Sequence, residues 1–381
     1  MQLKPPVRYL FSSPQGDIEE LPLQEPLKPA GDHPAITLGE YFAAMKDFLL
    51  TNREAVETAI GAILPRPRAL ADAGQILLRS EKLGALYHVA SAEFIFADAR
   101  PKLAVITAVS AVGRAWMQRE FATLRRLHEA FGLPYLPRVY CLNEMVRRAP
   151  GGHSVTVTMF LAEWLEDYHE WHLSDGPHGR GLVIWDTKKG YRAATPAESR
   201  AIYRQAAKIL ALYYDAGDYS QIYPWHHAAG DFVVKTTGGA VDVKLTTARS
   251  YEPLMVFTAG DALNPLVALI YFFLNLTLQM RLDKLDGVGE TAWAGAPCLQ
   301  ATVEGFFEAM QCQEREGRLA PGQAGDLLAL CQSFSRQELQ TLFEPLLDLH
   351  RQRDPGDLAV IEANLREHIG ELHAAMRNFR L

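Results

Sequence analysis

At 381 residues, 48% hydrophobic and 22% charged, the chain has the balance of a globular protein able to bury one large core or two smaller ones. Its net charge of −7, with Lys and Arg interleaved among acids as in RRLHE and LREHIGE, argues against nucleic acid or an anionic membrane surface as the main partner. Four dispersed cysteines, Cys141, Cys298, Cys312 and Cys331, form no C-x-x-C pair, which excludes a disulfide framework and suits a reducing compartment.

The opening MQLKPPVRYLFSSPQGD lacks the apolar core of a secretory signal. Residues 1–35, rich in Pro and polar residues, carry no sustained period and read as an arm. Thr37, with Glu40 three residues on, is a capping box and opens one or two helices that end before LPRPRALADAG. From Gln75 the texture changes to three strand-like runs, the last apolar from Leu103 to Val109. Met117, Phe121, Leu124, Leu127 and Phe131 then recur at helical spacing up to Gly132. Two further strands, RVYCLNEM and SVTVTMFLAEW, lead into a hinge-like segment.

Beyond residue 165 the chain is expected to be mostly helical, with one face formed by Ile202, Ala206, Ile209, Leu210 and Tyr213. DFVVK and AVDVKLT flank a Gly-Gly turn and predict a hairpin. The segment PLVALIYFFLNLTL, Pro265 to Leu278, is shorter than the ~20 residues a bilayer requires and carries Asn275, so a buried helix is expected, in a cytoplasmic protein. After a break at RDPGD, the residues Leu358, Ile361, Leu365, Ile369, Leu372, Met376 and Phe379 form one stripe. That stripe has to dock within the chain or pair with another copy. Docking, and hence a monomer, is the expectation, with a dimer through this helix as the alternative. The expected divisions are an arm and helical extension over 1–71, a small lobe over 72–163, a helical large lobe over 164–350 and a C-terminal helix over 351–381.

This order of elements resembles the protein-kinase-like fold, an α+β architecture of two lobes, in its aminoglycoside and choline phosphotransferase branch. The helix in QREFATLRRLHEAFGLPYLPRVY looks like the small-lobe helix running into the fourth strand, and TMFLAEWLEDYHEW, with Glu163, like the fifth strand and hinge. ILALYYDAGDYSQIYPWHHAAGDFVV looks like the helix, catalytic loop and strand of the large lobe, and the apolar helix starting at Asp261 like its buried central helix. The resemblance implies a glycine-rich loop, a Lys on the third strand, a Glu on the helix, a catalytic Asp followed by a metal-binding Asn, and a second metal Asp.

Carried over position by position, most of that chemistry is replaced. The loop has one glycine, Gly84; Ile106 or Thr107 stands where the Lys belongs, and Lys102 lies only at the strand's start. Glu120 takes the helix position, Asp231 the metal-binding Asn position and His226 that of the catalytic Asp. The second metal position falls on Lys244 or Thr247, neither of them an acid, and an ammonium there repels the ion that phosphoryl transfer requires. If Lys244 points into the cleft near Asp231, an ion pair between the two takes the place of the metal.

The expected function is therefore that of a pseudokinase-type binding or regulatory protein, with an unidentified protein or small molecule in its cleft. The alternative is a divergent phosphotransferase for a small hydroxylated substrate, using ATP and Mg²⁺, with His226 as base and Asp231 on the metal. A third reading takes the pairs His169/His172 and His226/His227 as ligands of a catalytic metal, His169 and His172 sharing one face of a helix.

Overall fold

The computed structural model describes residues 5–13, 15–27, 36–84, 86–148, 152, 154–177, 179–186, 189–254, 265–353 and 355–381. It is a mixed α+β protein that divides into two compact units, Met1–Glu166 and Asp167–Leu381. No helix among the described residues is long and apolar enough to cross a membrane.

The first unit is built on one six-stranded sheet. Its strands are β1 (Val7–Phe11), β2 (Gln75–Leu83), β3 (His88–Ile95), β4 (Lys102–Ala108), β5 (Val139–Arg148) and β6 (Ser154–Glu163), in the order β1-β2-β3-β4-β6-β5. All neighbours are antiparallel except β1, which runs parallel to β2. Val7–Phe11 thus corrects the expectation of an arm: its backbone groups find partners along Ile76–Ser80, satisfying polar groups that burial would otherwise penalise.

The two-residue period of the strands sorts their side chains onto two faces. Leu103 and Val105 of β4, with Val155, Val157, Met159 and Leu161 of β6, face helices α1 (Leu38–Thr51) and α2 (Arg53–Ile63) through Phe42, Phe48, Val56 and Ile60. Ala104, Ile106 and Ala108, with Phe160 and Ala162, face helix α3 (Ala111–Phe131) through Met117 and Phe121. Helix α1 starts on the expected capping box: Glu40 N–H donates to Thr37 Oγ1 at 3.1 Å, and Thr37 N–H donates to the Glu40 carboxylate at 2.7 Å. Gly132, at φ 63°, ends α3 in the left-handed conformation a β-carbon disfavours.

The second unit opens with strands, not helices. An antiparallel meander of β7 (Trp171–Gly176), β8 (Gly179–Asp186) and β9 (Gly190–Ala193) precedes α4 (Pro196–Leu212). The expectation of helix past residue 165 fails here because Trp171 and Leu173, and Leu182 and Ile184, each put a short alternating pair into the core on strands bounded by glycines. Next come β10 (Ser220–Ile222), the hairpin of β11 (Phe232–Thr237) and β12 (Ala240–Leu245), and β13 (Tyr251–Pro253), which pairs with β10. Helix α5 (Pro265–Gln279) follows; its expected start at Asp261 lies outside the described residues.

A second small hairpin joins β14 (Leu282–Lys284) and β15 (Thr291–Trp293), before α6 (Ala296–Arg315), α7 (Gln323–Ser333), α8 (Arg336–Arg353) and α9 (Pro355–Asn378). Helix α6 crosses α4 so closely that a β-carbon on Gly305 would lie 2.0 Å from the Arg204 carbonyl oxygen, so only glycine fits. The C-terminal stripe is buried within the chain at Leu358, Ile361, Leu365, Ile369, Leu372 and Met376, and Phe379 stacks on Phe307 of α6.

Candidate functional site

The loop from Tyr223 to Asp231 joins β10 to β11 and holds both candidate catalytic residues. After a cis Tyr223–Pro224 bond it makes one 3-10 turn, His227–Ala229, and reaches Gly230 at φ 70°. The left-handed conformation favours glycine there, and a β-carbon would stand 2.6 Å from the Glu170 carboxyl carbon, so that side chain would have to shift.

Asp231 is 1% exposed and its carboxylate is fully engaged. Arg249 grips it bidentately, with guanidinium nitrogens 2.5 and 2.6 Å from Oδ1 and Oδ2, and His226 donates its backbone N–H to Oδ2 at 2.8 Å. Such a charge-assisted fork uses the lone pairs that a divalent cation would need. A metal at Asp231 does not fit this arrangement. The cation is Arg249, not the expected Lys244, which lies on β12 opposite Val233. Thr247 is buried just beyond the end of β12, and the neighbouring Thr246 donates its N–H to the Asp231 carbonyl at 2.7 Å.

His226 places Nε2 3.5 Å from Oδ2 of Asp357, in the first turn of α9. Burial alone would raise the Asp357 pKa, but the His226 hydrogen bond and charge, with help from Thr291 and His350, hold it below the ordinary carboxylate value. The helix N-terminus favours the same ionised form.

The histidine pairs do not form metal sites. His169 and His172 lie in extended chain, His169 bridged to Val234 and His172 on β7, so the helical shared face is corrected. Among the described residues no group of three or more His, Cys, Asp and Glu is arranged to hold a metal ion. His227 is packed among Trp171, Tyr203, Trp225 and Phe232, and burial pushes its pKa down to about 4.

His172 has the opposite fate. It is 1% exposed, with Asp283 Oδ1 3.4 Å from Nδ1 and Glu170 Oε2 3.6 Å from Nε2. Burial opposes the charge, yet these two carboxylates outweigh it and raise the pKa to about 9. Asp283 also accepts the N–H groups of Leu173 and Lys284, both at 2.8 Å, which pins β7 to β14.

The remaining candidates belong to the first unit. Gly84 closes a tight turn, donating its N–H to the Tyr87 carbonyl at 3.0 Å. Thr107 is fully buried on the α1 face of the sheet, beside the Tyr41 hydroxyl, while Glu120 is buried on α3 against the other face. Strand alternation therefore separates these two, and Ile106 is the residue of that pair on the α3 face. Lys102 does not extend toward the middle of β4: its Nζ lies 3.9 Å over the Trp164 ring and 3.1 Å from Glu81. Glu163 is exposed at the end of β6, its carboxylate accepting the Arg138 N–H at 3.3 Å.

Sequence reasoning missed Arg249, Asp357, Asp283 and Glu170. A signal existed for one of them: polar residues alternate through the apolar run NLTLQMRLD, at Asn275, Thr277, Gln279, Arg281 and Asp283, and all five are buried. Buried polar groups require partners, so this run announces a network. Compared with known proteins, the sequence matches no family model and no curated relative.

Proposed function

We propose that this chain is a protein-kinase-like module whose catalytic loop has become a structural element, acting as a pseudokinase-type binding or regulatory protein. The single observation that carries this is the bidentate Arg249–Asp231 pair, which puts a fixed side-chain cation at the residue the resemblance assigns to the metal. Two features support the fold itself: five consecutive antiparallel strands with one helix between the third and fourth, β2 to β6 with α3, and a hairpin, β11–β12, directly after the loop. On the first unit, Ile106 and Lys102 leave the middle of the α3-facing strand without an amine for phosphate oxygens.

The phosphotransferase alternative has one observation in its favour, the His226–Asp357 pair, since an acid can orient a histidine base. Among the described residues it lacks a place for the metal. Calorimetric titration of the full chain with ATP, with and without Mg²⁺, separates the two. No metal-dependent binding is expected. Tight binding that requires Mg²⁺ overturns the pseudokinase reading, and phosphate transfer to a hydroxylated acceptor establishes the alternative.

A further inference from the structure

We propose that the elbow between α8 and α9 is a latch that holds the Tyr223–Asp231 loop in place and couples it to the C-terminal helices. This rests on reading that loop as the site. Arg353, the last residue of α8, lies with its guanidinium carbon 4.7 Å from the Tyr223 ring centroid. Asp357, across the elbow in the first turn of α9, reaches His226 at 3.5 Å. The two sides of one elbow thus grip the two ends of Tyr223–His226.

The elbow is itself anchored. His350 of α8, 1% exposed, hydrogen-bonds Asn275 of α5 through Nε2 at 3.1 Å, and Thr291 of β15 donates to Asp357 Oδ1 at 3.4 Å. The loop consequently has two kinds of restraint. Arg249, 18 residues from Asp231, is an internal one; Arg353 and Asp357, more than 120 residues away in sequence, are external. An external restraint on two exchangeable contacts, one a cation over a ring and one between a histidine and a carboxylate, can be released while the loop's own fold persists. Coupling of this kind is reciprocal: displacing α8–α9 loosens the loop, and a ligand that reorders the loop displaces the elbow.

The test is hydrogen exchange on the full-length protein, comparing wild type with Arg353→Ala, Asp357→Asn and the double variant. The double variant is expected to speed exchange of amides in 223–231 by roughly tenfold or more, the equivalent of about 1.4 kcal/mol. Amides of β11, β12 and α5 should keep wild-type protection. Arg353 is exposed, so Arg353→Ala keeps the fold and by itself should accelerate the Tyr223 end of the loop. Arg351→Ala, on the same elbow but, among the described residues, in ion pairs with Asp348 and Glu362 only, should leave the loop unchanged. Unchanged exchange at 223–231 in the double variant overturns the latch. So does uniform acceleration across residues 167–381, or an equal effect from Arg351→Ala. Tight, Mg²⁺-dependent nucleotide binding by the wild type sinks the pseudokinase reading without touching this one, because the exchange pattern is measured with no ligand.

Discussion

The two units bury side chains to the same depth by different chemistry. Under α1 and α2 the first unit packs Phe42, Phe48, Val56, Ile60, Leu78 and Phe94 into a mostly apolar layer, with Ser80, Thr107 and His88 gathered round the Tyr41 ring and hydroxyl. The second unit buries Asn275, Thr277, Gln279, Arg281 and Asp283 along the end of α5 and β14, and gives them histidines as partners. His350 serves Asn275 and Gln279, His368 serves Thr277 and Arg281, and His172 serves Asp283. An apolar layer is stabilised by area removed from water and is indifferent to pH; a buried polar string is stabilised only while every member stays paired and in one protonation state. The first arrangement tolerates volume-conserving change, and the second imposes a specific geometry on everything it touches, including the loop that carries His226 and Asp231.

The comparison is tested hardest by one truncation in each unit. Phe42→Ala removes a fully buried ring stacked 4.8 Å from Tyr9 and should cost about 3–5 kcal/mol. Arg249→Ala leaves the buried Asp231 carboxylate without its cation and should cost about 3 kcal/mol or more. Denaturant titrations separate them in kind. The Phe42 loss should be the same at pH 5 and pH 8, whereas Asp231→Asn, by neutralising the orphaned acid, should recover part of the Arg249→Ala loss. Failure of that recovery would mean that Arg249 acts by packing and not by charge. Because the ion pair joins Asp231 to Arg249, changing Lys244 leaves this pair in place.

Much of the first unit was legible beforehand, and for a physical reason. Its helices and strands advertise themselves by period, so the Thr37–Glu40 box, the stripe from Met117 to Phe131 and the strands of 75–163 correspond to observed elements. What escaped was a strand whose partner lies some 69 residues on, as Val7 pairs with Ile76; nothing local in Val7–Phe11 encodes it. The meander of 171–193 falls in the stretch expected to be mostly helical, because its strands are short and separated at Gly176, Gly179 and Gly190, which leaves little room for a period to show.

At the site, the local part was readable and the distant part was not. Gly230 and Asp231 before Phe232 mark a loop entering a strand, and the hairpin after it was expected from Gly238–Gly239. Arg249 and Asp357 gave no local signal, since an ion pair or a histidine–carboxylate contact is a fact about proximity: Arg249 meets Asp231 across the whole β11–β12 hairpin, and Asp357 meets His226 across more than 100 residues through the packing of whole helices.

Acid should act on the second unit through its buried histidines. Burial lowers the pKa of His227 to about 4 and that of His368, with Arg281 beside it, to about 3, against an ordinary 6.5. Both are neutral in the fold, so the unfolded chain takes up protons that the folded chain refuses. Stability therefore falls as pH drops below 6.5, by on the order of 2 kcal/mol per histidine at pH 5. His172 has the reverse sign: raised to about 9, its contribution is complete below 6.5 and is lost as pH rises through 9. A Tm profile should accordingly slope down on both sides of neutrality, and His227→Phe should flatten the acid side. A flat wild-type profile from pH 5 to 7 would mean these histidines are not held neutral.

The smallest contrast lies at two helix starts that share one motif. Thr37 caps α1 with Glu40, and Thr195 caps α4 with Glu198, each threonine accepting the N–H three residues on and each glutamate accepting the cap's own N–H. Alanine at either threonine should cost about 1 kcal/mol. The boxes differ in what surrounds them. Thr37 is buried, 8% exposed, against the apolar layer, whereas the Glu198 carboxylate also receives Arg192 at 2.8 and 3.0 Å and has its pKa lowered to about 2, chiefly by that arginine. Salt screens an exposed pair such as Arg192–Glu198 but not a neutral hydrogen bond in a buried cap. The Thr37→Ala loss should then be constant between low and high salt. Thr195→Ala should cost slightly less at low salt, where Arg192 still holds Glu198 over the helix start, than at high salt. Equal salt dependence at the two caps would show that the arginine adds nothing to the second box.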